Sequence, residues 1–270
     1  MVSNKRFDDD DLFYNVKQPI SRIAFETSGK RSGGFTLTEL IVIIAVVGIL
    51  SLLLVSAHAS AKDQSRVAQC SNNVKQFTLA FHIYGGENND NLPTSGSGAG
   101  SWPWDIPWNA GNVITQWISS RLVFCPGTAV RFSDQDNAAL WNFASSSFHL
   151  TGYALTSPGF GEITTNQNTK ITPQSNPTGP AIIPGQLPSQ RVLLADATIT
   201  SPGQYSYSQR YTYNWTSVAG GFNKSHISPH LKGQFPLGGN VGMLDGHVEW
   251  RKFDDMQCRV NSGSVPGFWW

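Results

Sequence analysis

From Leu40 to Val55 the chain reads LIVIIAVVGILSLLLV, sixteen residues without a charge. The six that follow, Ser56-Ala57-His58-Ala59-Ser60-Ala61, carry no Asp, Glu, Lys or Arg either. As a helix with a rise of ~1.5 Å per residue, Thr36 to Ala57 spans about 33 Å, enough for a bilayer core of ~30 Å. The expectation is therefore a transmembrane segment over Thr36 to Ala57. It differs from an ordinary secretory signal, in which a shorter apolar core precedes a small-residue cleavage site. Here the distinctive residues lie ahead of the apolar run.

Those residues are Lys30-Arg31-Ser32-Gly33-Gly34-Phe35-Thr36-Leu37-Thr38-Glu39-Leu40. Gly34 has no side chain, so a protease can approach its backbone closely. Lys30 and Arg31 hold the preceding segment in the cytoplasm by the positive-inside bias. Glu39 is costly at the edge of a membrane helix and demands a partner. Chain cleavage before Phe35 would create an amine one helical turn from it. The alternative for Glu39 is to snorkel among lipid headgroups.

This pattern resembles the N-terminus of type IV prepilins and type II secretion pseudopilins. The resemblance implies that a prepilin peptidase cuts between Gly34 and Phe35 and N-methylates Phe35. It also implies that Glu39 meets the N-terminal amine of an adjacent subunit and sets filament register. The resulting layout is a cleaved cytoplasmic leader over 1–34, a transmembrane or filament-core helix over 35–60, and an extracytoplasmic head over 61–270. Within the leader, Asp8-Asp9-Asp10-Asp11 is an acidic run unusual for these families.

Beyond the span, Val67, Cys70, Val74, Phe77, Phe81 and Tyr84 recur at alternating three- and four-residue steps, one stripe of an amphipathic helix. One helix from about Phe35 to Tyr84 follows, roughly 75 Å long, with Gly85-Gly86 as its stop. The rest is turn-rich. Thr94 to Ser101 and Thr156 to Ser189 read as loops, and Arg191 to Ala195 as a buried strand. Tyr205, Tyr207, Tyr211, Tyr213 and Trp215 fall on odd positions and predict a strand with an aromatic face. Asn240 to Arg251 predicts a hairpin turning on Asp245-Gly246, with Leu244 opposite His247 and Met243 opposite Val248. That register puts Val241, Met243, Val248 and Trp250 on one face, packed on the helix stripe. The fold class is α+β: a pilin-like long helix on an antiparallel sheet with long loops.

The hairpin also resembles the C-terminal motif of a prepilin-processing-associated family named for a His, nine residues, then Asp-Gly. Cys70 to Gln76, Cys125-Pro126 and Leu193 to Asp196 fit its pattern. The His position departs from it: Phe235 stands ten positions before Asp245, and the nearest upstream His is His230, separated from Asp245 by fourteen residues. An insertion through Gly233 to Pro236 would reconcile the two. Asp245, Gly246 and His247 are explained as turn and cross-strand residues. Asp196 and Asp245 are the only acids kept as metal candidates, with calcium in view; otherwise no metal, cofactor or catalytic residue is expected. Cys70, Cys125 and Cys258 all follow the span, where one disulfide and one free thiol is the natural arithmetic. Cys70–Cys125 is the expected pair, against Cys70 as a buried thiol.

Only 14% of residues are charged and the formal net charge is +1, so no field favours nucleic acid. The expected partners are the prepilin peptidase, other pilin or pseudopilin subunits and the inner membrane. The protein would cross that membrane once, with its N-terminus cytoplasmic. The function implied is a structural subunit of a type II secretion pseudopilus or type IV-like pilus, not an enzyme. The rival is a non-polymerising, membrane-anchored envelope protein whose head binds polysaccharide through Trp102, Trp104, Trp108 and Phe268-Trp269-Trp270.

Overall fold

The computed structural model describes residues 33–94, 100, 102–144, 146–156, 168–172, 187–260 and 265–270, the side chains of 54–60 excepted. Most of the leader, and most of the two loops expected over Thr94 to Ser101 and Thr156 to Ser189, lie outside these residues. Two compact units divide at Ser51/Leu52.

In the first unit the helix α1 (Leu37–Glu87) begins. Thr36 caps it. The Thr36 amide and hydroxyl both donate to Glu39 Oε2 at 2.8 Å, and the Glu39 amide returns a bond to Thr36 Oγ1 at 3.2 Å. This reciprocal Thr-x-x-Glu arrangement satisfies donors that a helix start otherwise leaves open. Glu39 therefore already has a partner within its own chain, which the sequence reading did not assign to it. From Leu40 to Ile49 the large apolar side chains are exposed around the whole helix. The expected membrane span is not found: among the described residues no helix is long and apolar enough to cross a membrane.

In the second unit the predicted stripe is the buried one. Cys70, Val74, Phe77 and Phe81 are fully enclosed, joined by Thr78 and Ala80, while Val67 and Tyr84 are half-buried at its ends. The helix runs through Gly85-Gly86 rather than stopping there. Gly85 serves close approach instead, since a Cβ on it would lie 2.7 Å from Ile171 Cγ1. The chain turns afterwards, at Asn89 and Asp90, both with positive φ (54° and 69°).

The elements that follow are β1 (Asp105–Pro107), α2 (Trp108–Ile114), α3 (Asp134–Trp141), β2 (Phe148–Leu150), β3 (Tyr153–Leu155), β4 (Val192–Asp196), β5 (Thr198–Thr200), β6 (Leu231–Lys232), β7 (Phe235–Pro236), β8 (Gly238–Met243), β9 (Val248–Lys252) and β10 (Gly267–Trp269). Among the described residues the main sheet is antiparallel in the order β3-β4-β8-β9, with smaller pairs β1-β2, β5-β10 and β6-β7. Long loops separate them, so the architecture is the α+β, pilin-like arrangement the sequence implies.

Two expectations are corrected. The hairpin forms, but one residue out of the predicted register: Gly242 pairs with Val248, Val241 with Glu249 and Asn240 with Trp250. Leu244-Asp245-Gly246 form a three-residue loop, closed by Met243 N–H donating to His247 O and by Gly246 N–H donating to Met243 O. Gly246 takes φ +91°, the left-handed position that such loops reserve for glycine. A one-residue slip exchanges faces. Gly242 now faces α1, where a Cβ would come 2.5 Å from Thr78 Oγ1, and Trp250 is 37% exposed.

The second correction concerns residues 205–215, which form no strand. Tyr207–Thr212 is a 3₁₀ helix. The aromatics of this stretch are spent on polar bonds: Tyr207 Oη donates to Asp254 O, Tyr211 Oη to the Asp254 carboxylate, and Trp215 Nε1 to Arg210 O. The Arg210 guanidinium stacks over the Tyr207 ring at 4.0 Å.

The core outside the helix is aromatic. Trp104 sits between His226, at 4.5 Å, and Phe268, at 5.0 Å, with Phe132 against the other side of the imidazole. Burial pulls the His226 pKa down to about 4. The unfolded chain would bind that proton near pH 6.5. As pH falls from 6.5 to 4 the unfolded state gains a proton that the folded state refuses, so stability is lost in that window, by about 3 kcal/mol. Urea unfolding at pH 7.5 and 4.5 should show this loss, and His226→Phe should shrink it by most of that amount. An unchanged pH difference in the variant would refute the assignment.

Candidate functional site

The N-terminal site is open. A Cβ on Gly33 or Gly34 would meet nothing within 4 Å, and Phe35 is 77% exposed. The backbone between Gly34 and Phe35 is thus free for a protease to approach. Phe35 directly precedes the Thr36 cap, so cutting before it leaves the capping pair with Glu39 intact.

A second constellation lies inside the head. Cys70 projects from α1, Cys125 caps the 3₁₀ turn Pro126–Thr128, Asp196 ends β4, and His230 precedes β6. All four are buried, and their ligating atoms lie within 4.8 Å of one another. Cys70 Sγ donates to Asp196 Oδ1 at 2.9 Å and approaches Tyr153 Oη at 3.6 Å. His230 Nε2 is 3.2 Å from Cys125 Sγ and 3.3 Å from Asp196 Oδ2. The Asn240 backbone N–H donates to Asp196 Oδ2 at 2.6 Å, and Gly127 N–H to Cys125 Sγ at 3.3 Å.

The backbone is shaped for this meeting. His230 holds φ +53°, a conformation that costs a non-glycine residue and persists where its surroundings impose it. A Cβ on Gly127 would stand 2.9 Å from the His230 nitrogen, so the Cys125 turn lies directly on the His230 segment. The residues from Leu231 to Pro236 form the β6-β7 hairpin, and Leu237 N–H bonds back to His230 O at 2.9 Å. The chain thus loops out after His230 and returns to it at Leu237.

Electrostatically the cluster is a buried ion pair beside two thiols. Burial pushes Cys70 well up and Cys125 up to about 11, so both thiols stay protonated. Burial opposes charge on His230, but Asp196 and Cys70 carry its pKa up to about 10. Burial likewise opposes the Asp196 carboxylate, and His230 with Cys70 and the Asn240 N–H hold it below its usual value. This is no Cys-His-Asp catalytic relay. That chemistry needs the thiol on one ring nitrogen and the carboxylate on the other, whereas both contacts here converge on Nε2.

The structure brings Cys70 and Cys125 together, both as free thiols, and leaves Cys258 elsewhere, also free. Of the two acids kept as metal candidates, Asp196 joins the cluster and Asp245 does not. Asp245 sits at the hairpin loop, with His247 Nδ1 on its Oδ1 at 2.6 Å and both side chains partly exposed. Nothing in the sequence marks Tyr153, and Asn240 is legible there only as a hairpin residue, not as a partner of Asp196. The aromatic surface expected to bind polysaccharide is largely internal: Trp104, Phe268, Trp269 and Trp270 are buried, with Trp102 and Trp108 only partly accessible. Enclosed rings cannot stack on a sugar.

An N-terminal Gly-Phe with a capped apolar helix, followed by a helix-on-sheet head, defines a prepilin- or pseudopilin-like protein. Comparison with family models agrees: the model described as Prokaryotic N-terminal methylation motif matches residues 29–55. A second, described as Protein of unknown function (DUF1559), matches residues 59–245, well over half of the sequence, and the chain belongs to that family. No curated protein and no solved structure matches the chain.

Proposed function

We propose that the protein is a structural subunit of a type II secretion pseudopilus or type IV-like pilus. A prepilin peptidase cuts between Gly34 and Phe35 and methylates Phe35, and the chain itself catalyses no step. Before assembly the apolar helix is held in the inner membrane, with the head outside the cytoplasm. On assembly the same helix moves into the filament core, where neighbouring helices replace lipid.

One observation carries this reading: the apolar side chains from Leu40 to Ile49 stand exposed on every side of α1. So much contiguous apolar surface is not left in water. A one-sided stripe would pack on a single partner, whereas apolar residues all round require lipid or a ring of neighbours.

Glu39 supplies the test, because its two roles can be separated. Glu39→Gln preserves the cap to Thr36, since Gln serves at that position, but removes the charge that would pair with the Phe35 amine. In the native host, mass spectrometry should find Phe35 as the methylated first residue of both wild type and variant. Incorporation of the variant into sheared or cross-linked filaments should drop about tenfold or more, as losing over ~1.4 kcal/mol per contact requires. Normal incorporation of Glu39→Gln would reduce Glu39 to a helix cap. An uncut N-terminus in cells that contain the peptidase would remove the reading altogether.

A further inference from the structure

We propose that Cys70, Cys125, Asp196 and His230 form a closed, four-coordinate zinc site that ties α1 to the β-rich part of the head. This goes beyond the filament reading and does not depend on it.

The ligand set is the first argument. Two sulfurs, one imidazole and one carboxylate are the donor types that zinc accepts in tetrahedral sites, and four protein ligands with no open position mark a structural site. The second argument is spacing. Zinc bonds of ~2.0–2.3 Å in a tetrahedron put ligand atoms about 3.3–3.8 Å apart. The close pairs here are 2.9, 3.2 and 3.3 Å, and the whole set falls within 4.8 Å. Adjustments of up to about 1 Å, within the reach of side-chain rotation, convert one arrangement into the other.

The third argument is the direction of His230. Its Nε2 faces Cys125 Sγ and Asp196 Oδ2 together, and one ring proton cannot serve both well. An ion between them takes the nitrogen lone pair directly. As it enters, the two thiol protons and the Nε2 proton leave to solvent, and the three anionic ligands leave the complex one negative charge. Donors already in place offset that charge: Asn240 N–H on Asp196, Gly127 N–H on Cys125 and the Tyr153 hydroxyl beside Cys70.

The fourth argument is what the site would hold. Its ligands come from four separated segments, two of them 126 residues apart in the chain. A bond among them fixes the helix, the Cys125 turn, the central strand and the strained His230 segment at one point. A cavity of about 270 Å³, lined by Asp63, Arg66, Gly127, His230 and others, lies beside the His230 segment, on the side from which an ion could approach.

The test uses the full-length chain, purified in detergent with a reductant and no chelator. Elemental analysis should find about one zinc per chain. Replacement by cobalt should give thiolate-to-cobalt absorption in the near ultraviolet and the visible bands of tetrahedral cobalt. Zinc content should fall severalfold in Cys125→Ser and in His230→Gln and stay unchanged in His247→Ala, whose imidazole lies at the exposed hairpin loop. The wild-type stoichiometry and cobalt spectrum do not depend on any variant folding. Zinc-free wild-type protein that takes up no cobalt would overturn the proposal. So would a Cys70–Cys125 disulfide in protein isolated from its host, or full zinc retention in the Cys125→Ser, His230→Gln double variant.

Discussion

Phe77→Ala should cost the head about 3–5 kcal/mol, as the removal of a fully enclosed phenylalanine ring does elsewhere. Phe77 is 0% exposed, packs at a tilt against Phe81 at 5.0 Å along the helix and meets Tyr153 of the sheet at 5.9 Å. Its loss therefore opens a cavity at the seam between helix and sheet, where neither side can collapse freely. In urea unfolding followed by tryptophan fluorescence, the midpoint should fall with little change in slope. Ile83→Ala is the matched control, since Ile83 is 44% exposed on another face of the same helix. It should change stability by no more than ~0.5 kcal/mol. Equal effects from the two substitutions would mean that the helix packs on the sheet through a different stripe.

That stripe was legible because helical periodicity is a local property: Cys70, Val74, Phe77 and Phe81 announce their shared face without reference to any other part of the chain. The all-apolar run over residues 192–195 was legible for the same reason, as a strand buried on both faces. Residues 205–215 were not. Alternation suggested a pleated strand, yet the Tyr207 and Tyr211 hydroxyls go to Asp254, remote in the chain, and the Trp215 indole goes to Arg210, off the pattern. The Thr36–Glu39 cap is readable in the sequence, since Thr-x-x-Glu before an apolar run is its signature, and it gives Glu39 a partner nearer than any other subunit. The buried cluster lay beyond reach for a different reason. Cys125 and His230 are 105 residues apart, and only the folded backbone, with the following residues looped out as β6-β7, puts them on one point. Periodicity and motif spacing do not carry information of that kind.

Gly242→Val decides between the two possible registers of the C-terminal hairpin. In the register expected from a two-residue Asp245-Gly246 turn, Val241 would face the helix, Gly242 would point away, and a larger residue there would be tolerated. In the observed register Gly242 pairs with Val248 and lies against α1, where even a Cβ would come 2.5 Å from Thr78 Oγ1 and 3.0 Å from Val74 Cγ1. Both neighbours are fully enclosed, so neither has room to yield. A valine must therefore push β8 off the helix or force its neighbours out of their rotamers, at a cost of about 3 kcal/mol, the upper part of the range for overpacked cores. The same strand carries Asn240, whose backbone N–H bonds Asp196 at 2.6 Å, so displacing it also loosens the cluster around Cys70. The expected result is a lowered unfolding midpoint together with faster labelling of Cys70 and Cys125 by a thiol reagent. A Gly242→Val protein with wild-type stability and unreactive thiols would restore the two-residue turn and move the helix to the opposite face of the strand.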